Sequence, residues 1–463
     1  MKPRWLVWLM LVVFVSSAAA TPALAANGDK IVRTSSSDGL GVINAACQLL
    51  GCTVLGSLDI LPGSTGPSSL FLVRGLVQDV VTFLLSLLGL ASIEPDLPVA
   101  LQQTASLGQA SVAILDQKRT PMTYYGTVAW EAYFVQPAAD IVGVRYTHCN
   151  LRATGGGTVA VIDSGVDPNH PTLKPVLTAG YDFTRNVAGG SEMADLAQAS
   201  VALLDQVQLY QVNQASVALL DQASVALLDS TPAYSDFGHG TMVAGIVHLV
   251  APTAKIMPLK AFAANGQGYT SDILRAVYYA TLKGAKVINM SFSRPTSSPE
   301  LKRAINYATS KGLITVAAAG NNDSSVLVYP AAMQYVMGVA STTDYDTRSS
   351  FSNYGAQQVW VAAPGEGIIT TYPWGSYAAG WGTSFSAPLV SGAAALVVGM
   401  KGSANYSQAS WAIAHAKVLS SDLGHGRLAL PWAVTAARSL WYSTNYSPVP
   451  TTCSQGVDWS AAH

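Results

Sequence analysis

From Thr158 onward, short unbroken apolar runs alternate with longer helical segments, and this alternation limits the fold more than any other feature. Thr158–Ile162, Lys255–Leu259, Lys286–Met290 and Leu313–Ala318 read as strands without a polar face. His239–Leu249, Ser271–Thr281, Pro299–Ser310 and Ser384–Met400 read as the helices between and after them. Strands apolar on both sides need cover on both sides. The expected class is therefore α/β, a mainly parallel, doubly wound sheet with helices on both faces.

The 463 residues allow about three folded units. Only 11% of them are charged, and the formal net charge is -1. That balance excludes the basic surface a nucleic-acid protein carries. Half the residues are apolar, which excludes a disordered chain.

Residues 1–25 read as a secretory signal. Lys2 and Arg4 precede the apolar run Trp5–Val15, and Ala23-Leu24-Ala25 is a small-x-small cleavage site. An uncleaved anchor is the other reading, but the run falls short of the roughly 20 residues a spanning helix needs. The expected product is secreted, with no membrane contact after signal removal. Residues 26–99 hold a βαββαβ order: Lys30–Thr34, helix Leu40–Leu50, Cys52–Leu58, Ser69–Val73, helix Val77–Leu88, and an extended piece from Ala91. This suggests a small α+β, ferredoxin-like unit. Residues 100–150 read as a connector without periodicity, and residues 441–463 as a tail.

One motif repeats. Gln-Ala-Ser-Val-Ala-Leu-Leu-Asp begins at Gln198, Gln214 and Gln222, with a near copy from Gln109 that carries Ile114. The period of eight matches no common solenoid. Residues 198–230 read either as a surface insertion or as a regulatory or partner-binding arm.

Three glycine-marked turns carry chemistry. Asp163 follows the strand Thr158–Ile162 and precedes Ser164-Gly165. In such sheets the carboxyl ends of strands line the ligand crevice. His239 lies between Gly238 and Gly240 at a helix start, and Ser384 opens the last long helix after Gly382-Thr383. Unpaired N–H groups at a helix start favour developing negative charge. A serine nucleophile needs a base, and the base needs an orienting carboxylate.

In the order Asp, His, Ser, these segments resemble the subtilisin-like serine proteases, or subtilases. The resemblance runs from Thr154 to about Leu440. It implies that Ser384 attacks the peptide carbonyl, His239 moves the proton and Asp163 orients His239. Asn321 would form the oxyanion hole with the Ser384 N–H. Gly266, Gln267 and Gly268 would line one edge of the substrate cleft, and Ser291, Phe292 and Ser293 the other, with Ala318, Ala319 and Gly320 adjoining. The Tyr329–Pro330 bond would be cis. Polypeptides would be the substrates. The unit at 26–99 would be an inhibitory pro-domain, removed by self-cleavage between Leu97 and Thr120; a retained accessory domain is the other reading.

Departures from the family pattern carry expectations too. Ser293 and Val328 replace glycines beside the specificity pocket and would narrow it toward small or medium apolar residues. Phe385 stands where many members carry an oxidisable methionine. Thr172 stands where many place a calcium-binding aspartate. Asp167 and Asp182 read as surface residues, so no metal is assigned, no cofactor is required for catalysis, and structural calcium stays open. Cys149 and Cys453 form an expected bridge. A catalytically silent binding protein on this fold is the alternative. An esterase with the same triad is a third reading, although Gly382-Thr383-Ser384-Phe385-Ser386 is not the G-x-S-x-G elbow of the α/β-hydrolases.

Overall fold

A computed structural model describes residues 28–36, 39–76, 89–101, 117–198 and 236–442. The signal segment, the helix expected at Val77–Leu88, the repeats and Cys453 lie outside the described residues.

The N-terminal unit contains strands β1 (Lys30–Thr34), β2 (Thr53–Ser57), β3 (Leu70–Arg74) and β4 (Leu90–Pro95). They form an antiparallel sheet in the order β2-β3-β1-β4. Helix α1 (Leu40–Leu50) packs on one face through Ile43 and Cys47. It stops at Gly51, whose left-handed backbone suits a residue without a side chain. Cys47 is bridged to Cys52 across that stop. Strand β5 (Pro98–Leu101) then leaves the unit.

Residues 117–150, expected as a connector, belong to the main core. They form the hairpin β6 (Pro121–Tyr124) and β7 (Thr127–Trp130) and three short helices. Tyr124 and Tyr133 are buried, and their hydroxyls donate to Leu249 O and Gly245 O. Those partners lie more than 100 residues away, which is why local periodicity missed them. Cys149 in this segment is disulfide-bonded.

Among the described residues the main sheet has eight strands. In chain order they are β8 (Thr158–Asp163), β9 (Tyr181–Asp182), β10 (Val187–Ala188), β11 (Lys255–Lys260), β13 (Val287–Met290), β15 (Ile314–Ala318), β16 (Val336–Thr342) and β17 (Val361–Pro364). The spatial order is β10-β9-β11-β8-β13-β15-β16-β17, parallel except at β10–β9. Alternation divides each strand between two cores. Val159 and Val161 face the helices His239–Val250 and Thr383–Met400. Ala160 and Ile162 face the helices Thr270–Leu282 and Pro299–Ser310. Thr383–Met400 is apolar enough to cross a membrane, but it is buried among these elements.

The N-terminal sheet docks on the second pair of helices. Ile31, Leu58 and Leu70 join their apolar core. Arg33 forms a two-pronged pair with buried Glu300, through Nε at 2.9 Å and Nη2 at 2.7 Å. Burial alone would raise Glu300, but the bonds from Arg33 and Ser92 hold it below the usual carboxylate range. Asp96 accepts from the Ser271 N–H, and Glu94 from Ser298 Oγ and the Glu300 N–H. Each carboxylate therefore meets a helix start, where free N–H groups favour an anion.

His248 sits fully buried in its helix, with neither ring nitrogen partnered. Burial pushes its pKa down to about 3, with His148 and His170 adding to the effect. The folded chain thus keeps a neutral imidazole that the unfolded chain protonates. Stability is intact above the ordinary imidazole pKa and is lost as pH falls below it, by about 1.4 kcal/mol per unit. In a Ser384→Ala background, His248→Leu is expected to lose roughly 2 kcal/mol less between pH 6.5 and pH 5. Urea unfolding at the two pH values measures this; equal losses would assign the acid sensitivity elsewhere.

Candidate active site

Three element ends meet at the carboxyl edge of the sheet. Strand β8 ends at Asp163, and its neighbours β11 and β13 are reached by crossovers on opposite sides. A crevice opens where the strand order reverses in this way. The helix from His239 rises over it, and the helix from Thr383 reaches it with its first turn.

Glycines permit this approach. A Cβ on Gly240 would lie 2.0 Å from Gly165 O, so backbone meets backbone between the two turns. Gly238 has φ +88°, and a Cβ there would enter the Tyr372 ring.

Asp163 and His239 are joined. His239 Nδ1 lies 2.7 Å from Asp163 Oδ1, which also accepts from the Ser164 N–H at 2.7 Å. His239 Nε2 is buried and has no hydrogen-bond partner. Burial alone would lower the His239 pKa. Asp163 outweighs it, with Asp236 and Glu192 adding, and holds the imidazole above its ordinary value.

Ser384 differs from expectation in one respect. Its Oγ donates to Ser291 O at 3.1 Å, not to His239 Nε2. The Ser291 hydroxyl in turn donates to Ser384 O at 2.9 Å. Ser384 Oγ and His239 Nε2 therefore share no hydrogen bond in this arrangement. Catalytic bonds are often loose until substrate is bound.

Asn321 is oriented for donation. Its Oδ1 accepts from the Thr383 N–H at 2.9 Å and from Thr383 Oγ1 at 2.8 Å. Its Nδ2 is buried, without a partner, 3.0 Å from where a Cβ on Gly382 would stand. Gly320 donates its N–H to Thr383 Oγ1 at 3.1 Å, which fixes the same turn. Ala318 ends β15. The Ala319 side chain packs into a separate cluster with Ala340, Ala362 and Leu423.

The two expected cleft edges are strands β12 (Gln267–Tyr269) and β14 (Phe292–Ser293), and β5 lies antiparallel between them. Ala100 pairs with Gln267 on one side and Ser293 on the other. The Leu101 N–H donates to Gly266 O at 2.7 Å. Val328 is buried in the apolar core that also contains Leu101. Phe385 is buried with its ring 5.6 Å from that of His239. The Tyr329–Pro330 bond is cis.

Asp167 and Asp182, expected at the surface, are buried. Asp167 accepts from the Asn169 and Trp374 N–H groups, and Asp182 from Thr184 and Arg185. Each turns its charge toward local backbone or a cation. Thr172 bonds Val128 O and the Tyr377 hydroxyl. Among the described residues, no group of three acidic, histidine or cysteine side chains has metal-holding geometry.

Sequence reasoning missed Glu192. It is fully buried behind the Asp163–His239 pair and accepts from Thr241 Oγ1, Ser164 Oγ and the Gly238 N–H. It thereby ties the turn after Asp163 to both sides of His239. Burial pushes its pKa up to about 8. Only its place after Gly189-Gly190 marked it in the sequence.

These features define a doubly wound α/β protein with a buried carboxylate–imidazole pair and a hydroxyl beside a preset amide. Residues 154–428 match the Peptidase_S8 family model, described as the subtilase family. The chain is 34% identical over 265 residues to thermitase of Thermoactinomyces vulgaris, covering 55% of this chain and 79% of that protein. It is 35% identical over 246 residues to a thermophilic serine proteinase of Bacillus sp. (strain AK1), of which it spans 53%, again 53% of this chain. The crystal structure of a lanthipeptide protease shares the fold, with a TM-score of 0.51 at 23% identity, over 65% of this chain and 93% of that one. The chain belongs to the subtilase family.

Asn321→Ala removes an amide whose acceptor side is already engaged. Turnover is expected to fall by about 10²–10³ with KM little changed. Steady-state kinetics on a peptide substrate check this; a change confined to KM would assign Asn321 to ground-state binding instead.

Proposed function

We propose that the chain is an exported serine endopeptidase, made as a self-processing zymogen. One observation carries the reading. The chain's own β5 lies in the cleft as an extended peptide, and the cleft edge it borders leads to Ser291, whose carbonyl holds Ser384 Oγ.

In the proposed cycle, Ser384 Oγ turns from Ser291 O toward His239 Nε2 and attacks the peptide carbonyl. His239 takes the proton, and Asp163 keeps Nδ1–H fixed and stabilises the imidazolium. Asn321 Nδ2 and the first-turn Ser384 N–H face the negative oxygen. His239 then protonates the leaving amine, and water cleaves the acyl ester. No metal or cofactor step is included.

The N-terminal unit is the proposed inhibitor. Its sheet covers two helices, its carboxylates meet their starts, and β5 fills the cleft. The cut bond lies shortly after Leu101. Ser293 and Val328 narrow the specificity pocket in this reading, and Phe385 makes the site resistant to peroxide. The Lys2–Ala25 pattern supports export, and the Cys47–Cys52 bridge suits an oxidising compartment.

Catalytic silence is the second reading, favoured by the Ser384 Oγ bond to Ser291 O. An active-site phosphonate distinguishes the two: it labels the wild type only if Ser384 reaches His239.

Two outcomes are expected. Wild-type chains show new N-termini after Leu101, and Ser384→Ala chains show none; identical termini in both would end the self-processing reading. Activity should also be lost as pH falls through the raised His239 pKa, because the protonated ring is not a base. Asp163→Asn should move that acid limb to lower pH and cut turnover by about 10⁴; an unmoved limb would assign it to another group.

A further inference from the structure

The strand in the cleft and the repeats share a tripeptide. β5 reads Pro98-Val99-Ala100-Leu101, with Val99 and Leu101 buried and Pro98 and Ala100 exposed. Both buried side chains join the apolar core that contains Phe262 and Phe292, whose rings pack 5.1 Å apart. Val-Ala-Leu recurs at Val201-Ala202-Leu203, Val217-Ala218-Leu219 and Val225-Ala226-Leu227, and as Val112-Ala113-Ile114 in the near copy.

The register locates the bond to be cut. Leu101 pairs with Phe292 and Ala100 with Ser293. Extending the antiparallel ladder by one residue sets the position after Leu against Ser291, whose carbonyl holds Ser384 Oγ at 3.1 Å. A strand bound this way presents to the nucleophile the carbonyl of the residue following Leu. In every repeat that residue is a second leucine, followed by aspartate.

We infer that the cleft selects extended polypeptides with a branched apolar residue and, two positions on, leucine, cut one residue beyond that leucine. The repeat unit Gln-Ala-Ser-Val-Ala-Leu-Leu-Asp is a substrate sequence for the chain that carries it. This rests on the reading of the site as a serine endopeptidase. The step balances: the Ser384 Oγ–acyl bond forms, the Leu–Asp C–N bond breaks, and His239 passes the proton to the aspartate nitrogen. Water then hydrolyses the ester and restores the hydroxyl.

A synthetic peptide with the sequence of residues 214–226 tests this against the matured full-chain enzyme. Mass spectrometry should find one cut, between Leu220 and Asp221, at least about tenfold faster than in a scrambled peptide. Val217→Asp or Leu219→Asp in the peptide should remove that advantage. Ala218→Asp should keep it, because the matching Ala100 is exposed. Casein and the Ser384→Ala enzyme separate the two levels. If casein is hydrolysed only by the wild type, but the peptide is cut no faster than its scramble, cut elsewhere, or bound uncut, the sequence preference is overturned and the endopeptidase reading stands. If the wild type does not hydrolyse casein, the endopeptidase reading itself fails.

Discussion

A buried carboxylate beside a buried imidazole is the interaction on which the site depends. Neither group is stable there alone. Asp163 is fully buried and needs the His239 ring and the Ser164 N–H, and His239 would be pushed toward neutrality without the carboxylate. Their approach requires that two backbone turns touch, which Gly165 and Gly240 allow. Glu192 then locks both turns from behind through three hydrogen bonds.

The fold supplies rigidity to this contact. The central strand ends at Asp163, and two long helices packed on one face bring His239 and Ser384 to the same edge. The strands are apolar on both sides, and alternate residues pack into two separate cores, one under each pair of helices. The Ser384 hydroxyl is not part of the Asp163–His239 contact. Its Oγ bonds Ser291 O, and His239 Nε2 has no hydrogen-bond partner.

The N-terminal unit binds by two different kinds of contact. Its sheet uses apolar cover and charge: Ile31, Leu58 and Leu70 against the helices, and Arg33 against Glu300. Its trailing strand uses backbone pairing, which is indifferent to side chains, plus two buried apolar residues, which are not.

Much was legible in the chain itself. Lys30–Thr34, Leu40–Leu50 and Pro299–Ser310 have the limits their patterns imply, since their caps and periodicity are local. Asp163, His239 and Ser384 stood out because the turns beside them use glycines at positive φ, Gly165, Gly238 and Gly382. The hairpin and helices of 117–150 were not, since their tyrosines are satisfied by carbonyls more than 100 residues away. β16 and β17 were missed too, being strands defined by neighbours rather than by flanking turns. The sequence by itself determined the alternation of strands and helices from Thr158 to Ala318, the glycine turns beside Asp163, His239 and Ser384, and the recurrence of Val-Ala-Leu. Only the tertiary structure decided that β5 pairs between β12 and β14, that Glu192 stands behind the pair and that Ser384 Oγ rests on Ser291 O. Local patterns record which face of a segment is apolar. Which distant segment meets that face follows from packing the whole chain at once.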